Sequence, residues 1–542
     1  SGIKDRTTII DELKVQNKNN REFLAWLESA QASLEHIDII LSKDSKALPQ
    51  GKAIENWSKK EIFTWTRSVK RSSKPIYQEE LVAVANQAVR LHKGYSPRDT
   101  QLLSVLALLN KKSGYGRLIQ VKTGEGKTTI AGMTSVIAAL QTKKPIDIVT
   151  SSSVLAKRDS AEQAPYYSLF GLSCRHINKS ESTGAKECYL ADILYGSASD
   201  FEGDYLRDIF KGQGTRIGRE FSTVIVDEVD SMLVDEGAKI TKLTTPRPGA
   251  EYLAPIFILT WKAIEDLNIT EEMLSNSEIK ENLERRIEEH IDIILSSGHF
   301  VYPNYLQDYI YSQVGEWSKS ALLASYIQED VHYVINYDED SKSKVISPVD
   351  YVNSGVIQSK TTWGNGVHQF LQLKHSLKMT SDSITTSFMS NMSFFLKYGS
   401  NIMGMTGTLG SDRSKDLLSD TYNLDTAVIP KFKTNLFIEQ EGVVVIDESE
   451  HKNTIIDSAI NEASRGRVIL IIAKTIVFAK DLAKALAEVY SISKIHTYTH
   501  NEDSEAVEDI KQAGDIIVAT NLAGRGTDIK LSEETIANGG LH

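Results

Sequence analysis

The sequence predicts an α/β protein: two units built on parallel sheets, an α+β domain inserted in the first of them, and a helical N-terminal region. Short β-branched runs alternate with helical stretches from about residue 101 to 230, and the same texture returns after about residue 440. Between them lie a long charged helix and tyrosine-rich, strand-like pieces. Before residue 95 the apolar residues recur at helical spacing.

At 542 residues the chain exceeds the ~250–300 residues at which single cores stop growing, so several domains are expected. The textures divide it into a helical region over 1–95, a first fold over 96–237 and again over 373–425, an inserted domain over 238–372, and a second fold over 426–542.

In the N-terminal region Leu24, Leu27, Leu34, Ile37, Ile40 and Leu41 fall at near-helical spacing, and Pro49-Gln50-Gly51 interrupts the run. Arg67, Lys70, Arg71 and Lys74 read as a solvated helix face. In the first fold Leu118-Ile119, Ile146 to Val149 and Val224 to Val226 have the continuous apolar character of strands buried on both faces. The insert carries Ile279, Leu283, Ile287, Ile291 and Ile294 as one apolar helical stripe, and Val331 to Tyr337 reads as a strand. In the second fold Val443 to Ile446, Val468 to Ile472 and Ile516 to Val518 are the expected strands.

An apolar fraction of 41% and a charged fraction of 25% are those of an ordinary globular protein. No apolar run approaches the ~18–20 residues that span a bilayer, and the first residues lack a signal-peptide pattern. Two cysteines, Cys174 and Cys188, suit a cytoplasmic setting and supply neither a disulfide framework nor a CxxC site. A net charge of −11 argues against wholesale nucleic-acid coating. The histidines form no HExxH or Cys/His metal cluster.

The chemistry begins in Gln120 to Thr129 (QVKTGEGKTT), between a strand-like and a helix-like run. Small residues at Thr123, Gly124 and Gly126 let the backbone N–H groups, with those of Glu125 and Thr129, curl around phosphate oxygens at a helix N-terminus. Lys127 would reach the β/γ-phosphates and the Thr128 hydroxyl would ligate Mg²⁺. The strict phosphate-loop pattern has a glycine where this chain has Val121. About 100 residues on, Val224 to Asp230 (VIVDEVD) is an apolar strand ending in adjacent carboxylates. Asp227 is assigned to the metal and Glu228 to the general base beside the attacking water. Met405 to Thr408 (MTGT) has hydroxyls suited to relaying nucleotide state, and Asn521 to Asp528 (NLAGRGTD) brings Arg525 toward the phosphates, with Asp528 beside it.

With these motifs in this order the chain resembles the motor core of the SecA family of preprotein translocase ATPases, relatives of superfamily-2 helicases. Tyr95 to Leu103 (YSPRDTQLL) is similar to the family's adenine-contacting segment, which makes Gln101 the adenine reader. Ile148 to Asp159 (IVTSSSVLAKRD) resembles the segment after the second strand, with Arg158 matching a nucleotide-site arginine. Leu194 to Asp208 (LYGSASDFEGDYLRD), Asp227 to Glu236 (DEVDSMLVDE), Trp363 to Gln369 (WGNGVHQ) and Thr520 to Ile529 (TNLAGRGTDI) also match in order.

The resemblance implies two RecA-like nucleotide-binding folds with ATP and Mg²⁺ between them, the first interrupted by a preprotein cross-linking domain. The implied partners are an unfolded polypeptide substrate and a membrane protein-conducting channel, with peripheral membrane contact from the cytoplasm; the sequence carries no strong nucleic-acid signal. Three departures stand out. The first 80 or so residues do not resemble the family's start, Val345 to Lys360 lacks a VDExTGR-like stretch, and His542 precedes the family's last arginine-rich motif. Nucleotide binding with weak turnover is therefore expected of this chain. Two other functions stay open: a SecA-like ATPase module without a translocation role, and a nucleic-acid helicase. Against the helicase stand MTGT, where a SAT-like motif is usual, and the 194–208 segment.

Overall fold

The computed structural model describes residues 2–43, 51–178, 184–235, 237, 240–247, 249–338, 341–350, 356–357, 363–381, 383–499, 509–520 and 529–542. They form two compact units, Ser1–Leu243 with Thr385–Glu439 and Thr244–Ile384 with Gln440–His542.

The first unit opens on helices α1 (Arg6–Gln16), α2 (Arg21–Ser42), α3 (Lys59–Arg71), α4 (Gln78–Lys93) and α5 (Asp99–Leu109). Asn20 caps α2 by accepting the Phe23 N–H, and Phe23, Leu27, Ala30, Leu34 and Ile37 form its buried face. Leu24, Ile40 and Leu41, expected on that stripe, are half-buried at its margin. Arg67, Lys70, Arg71 and Lys74 are exposed on and just past α3.

An alternating stretch follows: β1 (Gly116–Gln120), α6 (Lys127–Thr142), β2 (Ile146–Thr150), α7 (Ser153–Ser168), β3 (Cys174–His176), β4 (Ile193–Ser197), α8 (Ala198–Lys211) and β5 (Thr223–Asp227). The chain leaves along β6 (Ile240–Pro246). In the second unit it builds α9 (Ala254–Asp266), α10 (Glu271–Ser275), α11 (Ser277–Ser296), α12 (Gln307–Tyr326), β7 (Tyr333–Asp338), β8 (Ser343–Asp350), β9 (Val356–Ile357) and α13 (Val367–Lys374). It returns on β10 (Ser383–Ser390), which pairs with β6, and adds α14 (Asn391–Leu396), β11 (Ile402–Thr406), α15 (Asp412–Tyr422) and β12 (Leu424–Val428).

The first sheet has seven parallel strands in the order β12-β1-β11-β5-β2-β4-β3. The returning strands flank β1, so the insertion is a matter of topology: residues 402–428 are needed to complete the sheet that residue 116 begins. Register aligns Gln120 with Thr406 and Met405 with Asp227. The carboxyl ends of β1, β11 and β5 thus lie side by side, where parallel sheets present their ligand sites. Gly404 on β11 has no room for a side chain, since a Cβ there would lie 2.2 Å from Val229 Cγ2. Arg219 pairs with Asp147 of β2 at 2.7 Å, both sealed from solvent, and the Tyr398 hydroxyl donates to the other Asp147 oxygen at 2.7 Å. The edge strand β12 is covered by the N-terminal helices: Asn17 donates to the Val428 carbonyl and accepts the Val428 N–H, both at 2.8 Å.

Three expectations need correction here. Residues 424–428 belong to the first sheet, so a boundary at 425 cuts a strand, and the first unit runs to Glu439. Val443 to Ile446 is not a strand; Val443, Val444 and Ile446 are 71%, 96% and 93% exposed and have no ladder partner among the described residues. On α11 the buried stripe is Leu283, Ile287, Ile291, Ile294 and Leu295, whereas Ile279, in the first turn, lies in solvent.

In the second unit the late part of the chain forms α16 (Glu448–Ser464), β13 (Ile469–Ala473), α17 (Ile476–Val489), β14 (Ile495–Tyr498), β15 (Ile516–Thr520) and α18 (Glu533–Ala537). Its parallel sheet has the order β13-β15-β14, and Leu541 lies against Val468 at the outer edge of β13. The inserted domain and this fold share the unit: Val334, Val349 and Ile476 form one buried cluster, and Lys480 pairs with Asp330. No described helix is long and apolar enough to cross a membrane.

Candidate functional site

The loop after β1 is held at its start by two bonds to the 406–409 segment. The Val121 N–H donates to the Thr406 carbonyl at 2.8 Å, and the Leu409 N–H donates to Gln120 Oε1 at 3.1 Å. Beyond them the chain turns through Gly124 and Gly126, both at φ +83°, a backbone that side-chain-bearing residues rarely adopt. Helix α6 starts at Lys127, with the Thr129 and Ile130 N–H groups donating to the Gly126 carbonyl. The first turn of the helix carries the positive end of its dipole.

The Lys127 ammonium donates to Glu228 Oε1 at 3.0 Å, which brings the loop and the end of β5 together. Glu228 sits in the left-handed region at φ +56°, which costs a non-glycine residue about 1–2 kcal/mol. Its N–H donates to Asp227 Oδ1 at 3.0 Å. Burial raises the Asp227 carboxyl to about 6; Lys127 opposes the shift, while Glu228 and Asp159 add to it. Gly407 completes the group, since a Cβ there would lie 3.5 Å from Thr123 Oγ1 and 3.7 Å from Lys127 Nζ. The 120–129 loop, the strand-end carboxylates and the 405–408 motif therefore meet in one place.

Other expected residues are placed differently. Gln101 is buried with both ends of its amide engaged: Oε1 accepts the Arg98 N–H at 2.9 Å and Nε2 donates to the Glu125 carbonyl at 3.1 Å. It braces the loop here and would have to exchange a partner to read adenine. Arg158 is 44% exposed and spends Nε and Nη2 on Asp159 Oδ1, both at 3.1 Å. Arg525 and Asp528 lie outside the described residues.

Two participants carried no sequence signal of their own. Asp159 is a mostly buried carboxylate that acts electrostatically on Asp227. Phe432 donates its N–H to Glu125 Oε2 at 3.0 Å across 307 positions. For Mg²⁺, Thr128 and Asp227 offer one hydroxyl and one carboxylate. That sparse set suits a cation held mainly by phosphate and water.

Residues 26–417 match the family model described as the SecA DEAD-like domain, and residues 437–539 match the SecA P-loop domain. The chain belongs to the SecA family. The loop, both carboxylates and every strand of the first sheet except β12 lie within the SecA DEAD-like match. Among curated relatives, the protein translocase subunit SecA of Syntrophus aciditrophicus (strain SB) is 29% identical over 471 residues, 85% of this chain and 53% of that protein. The protein translocase subunit SecA 2 of Bacillus thuringiensis subsp. konkukian (strain 97-27) is 28% identical over 469 residues, 85% of this chain and 56% of that protein. The chain spans about half the length of the curated SecA relatives it matches. Among solved structures, S. cerevisiae Dbp5 bound to RNA and ADP BeF3 is similar with a TM-score of 0.40 and 12% identity, over 83% of this chain and 75% of that one.

Proposed function

We propose that this chain is the ATP-driven core of a SecA-type motor, which binds ATP with Mg²⁺ at the 120–129 loop and couples its hydrolysis to moving polypeptide across a membrane. The observation that carries the reading is the Lys127–Glu228 ion pair, because it joins phosphate-binding and water-activating groups at adjoining strand ends. Phosphate oxygens compete for the Lys127 ammonium, which frees Glu228 to accept a proton from the attacking water. Thr128 and Asp227 would hold Mg²⁺, which neutralises charge on the phosphates when bound. Gln101 reads adenine after releasing Glu125, and Arg158, Arg525 and Asp528 are assigned to the same nucleotide.

The substrate assignment rests on the family: relatives named as protein translocase subunits cover most of this chain. An unfolded polypeptide, a protein-conducting channel and peripheral attachment to the cytoplasmic membrane face are the corresponding partners. The direct test is ATP turnover with and without an unfolded polypeptide or single-stranded RNA. Stimulation by polypeptide is expected; stimulation by RNA alone overturns the translocase reading in favour of a helicase.

A further inference from the structure

The contact between Glu125 and Phe432 is one link in a closed ring. Glu125 accepts the Phe432 N–H through its carboxylate and the Gln101 amide through its carbonyl. Gln101 is held by the Arg98 N–H, and the Arg98 guanidinium lies over the Phe432 ring, 5.1 Å from its centroid. Asp99, next in sequence, pairs with Arg6 through two bonds of 3.1 and 2.9 Å. From Arg6 the chain runs back along residues 2–4, which lie antiparallel to 432–434. The Lys4 N–H donates to the Phe432 carbonyl at 3.1 Å, and the Thr434 N–H to the Gly2 carbonyl at 2.8 Å.

We propose that Glu125 is a positioning residue that couples the phosphate loop to the 432–434 segment, and that residues 2–6 are a strap completing this coupling. Segment 432–434 leads, a few residues on, out of the first unit. Residues 2–6 precede the family-matched region, which begins at residue 26. Physically, a charged acceptor that is nine-tenths buried loses a strong bond if the segment withdraws, and the loop backbone moves with it. The carbonyl held by Gln101 lies in the loop that would wrap phosphate. Loop, segment and strap therefore change state together, and nucleotide affinity depends on residues remote from the nucleotide.

This inference rests on the nucleotide reading of the loop. The test uses the full chain, a fluorescent ADP analogue with Mg²⁺, and amide hydrogen exchange at Phe432 and Thr434. Wild type should bind the analogue and alter the exchange of both amides on binding. Glu125→Ala should weaken binding about tenfold and abolish the exchange response, while Glu125→Gln, which keeps an acceptor, should retain both. Arg6→Ala touches neither loop nor nucleotide, yet it should weaken binding in the same direction and speed exchange at Thr434. Wild-type affinity in both alanine variants, or exchange at 432 and 434 indifferent to ADP, overturns the coupling while leaving the site in place. No binding by wild type overturns the nucleotide site and the coupling with it.

Discussion

Lys127 and Glu228, 101 positions apart in sequence, form an ion pair at 3.0 Å in which both side chains are largely withdrawn from solvent. The pair brings together the loop that would take phosphate and the carboxylate proposed to activate water. It also accounts for the strained backbone at Glu228, because the +56° φ sets the side chain's course from the end of β5.

Glu228→Gln keeps the shape of the pair and removes the base. Nucleotide affinity is expected to stay within about threefold of wild type, while single-turnover hydrolysis falls by about 10²–10⁴. A Gln variant that hydrolyses ATP at the wild-type rate assigns the base elsewhere.

Gly126 has a backbone angle of +83°, and a Cβ there would lie 2.3 Å from Gln101 Nε2. Gly126→Ala therefore costs about 1–3 kcal/mol of strain and pushes Gln101 off the loop. Thermal unfolding should show the loss, and titration with ADP should show weaker binding. An alanine variant equal to wild type in both would mean the loop is not held in this turn.

Asp227 makes a pH-dependent contribution whose sign follows from its raised carboxyl, about 6 against 3.8. A raised acid favours the folded chain when protonated, and that stabilisation is lost as pH rises through about 6. In metal-free protein at about pH 7.5, Asp227→Asn should melt about 2–4 °C above wild type. The gain should shrink as the pH falls from 6 toward 4. A gain that is the same at both ends of that range would contradict burial as the cause.

Asp147 is the shared acceptor of Arg219 and Tyr398 inside the first unit. Asp147→Ala leaves a buried guanidinium unpaired and should cost about 3–5 kcal/mol, whereas Tyr398→Phe should cost about 1–2 kcal/mol. Denaturant unfolding of both single variants and the double variant should give a non-additive sum. Strict additivity would show that the two bonds are independent.

The strands of the first sheet were legible because β1, β2 and β5 are buried on both faces and read as unbroken apolar runs. The loop and the carboxylate pair were legible because their chemistry needs particular residues in adjacent positions. What failed was where local pattern and tertiary partner part ways. Val443 to Ile446 has the composition of a strand, yet a strand is made by its neighbours, and none is present among the described residues. On α11 the buried stripe begins at Leu283, one turn after Ile279, which is 39% exposed. Contacts such as Asn17 with Val428, or Glu125 with Phe432, join positions hundreds of residues apart. No periodicity or motif records them. The brace that Gln101 gives the loop is of the same kind: its motif names a ligand, and the bond from its amide to the Glu125 carbonyl is a tertiary contact.

The most direct measurement is calorimetric titration of ATP with Mg²⁺ into the full chain and into Lys127→Ala. Saturable one-site binding by wild type, weakened at least about 100-fold in the variant, is the expected result. Equal affinity in the two proteins would contradict the placement of the nucleotide at Lys127 and Glu228.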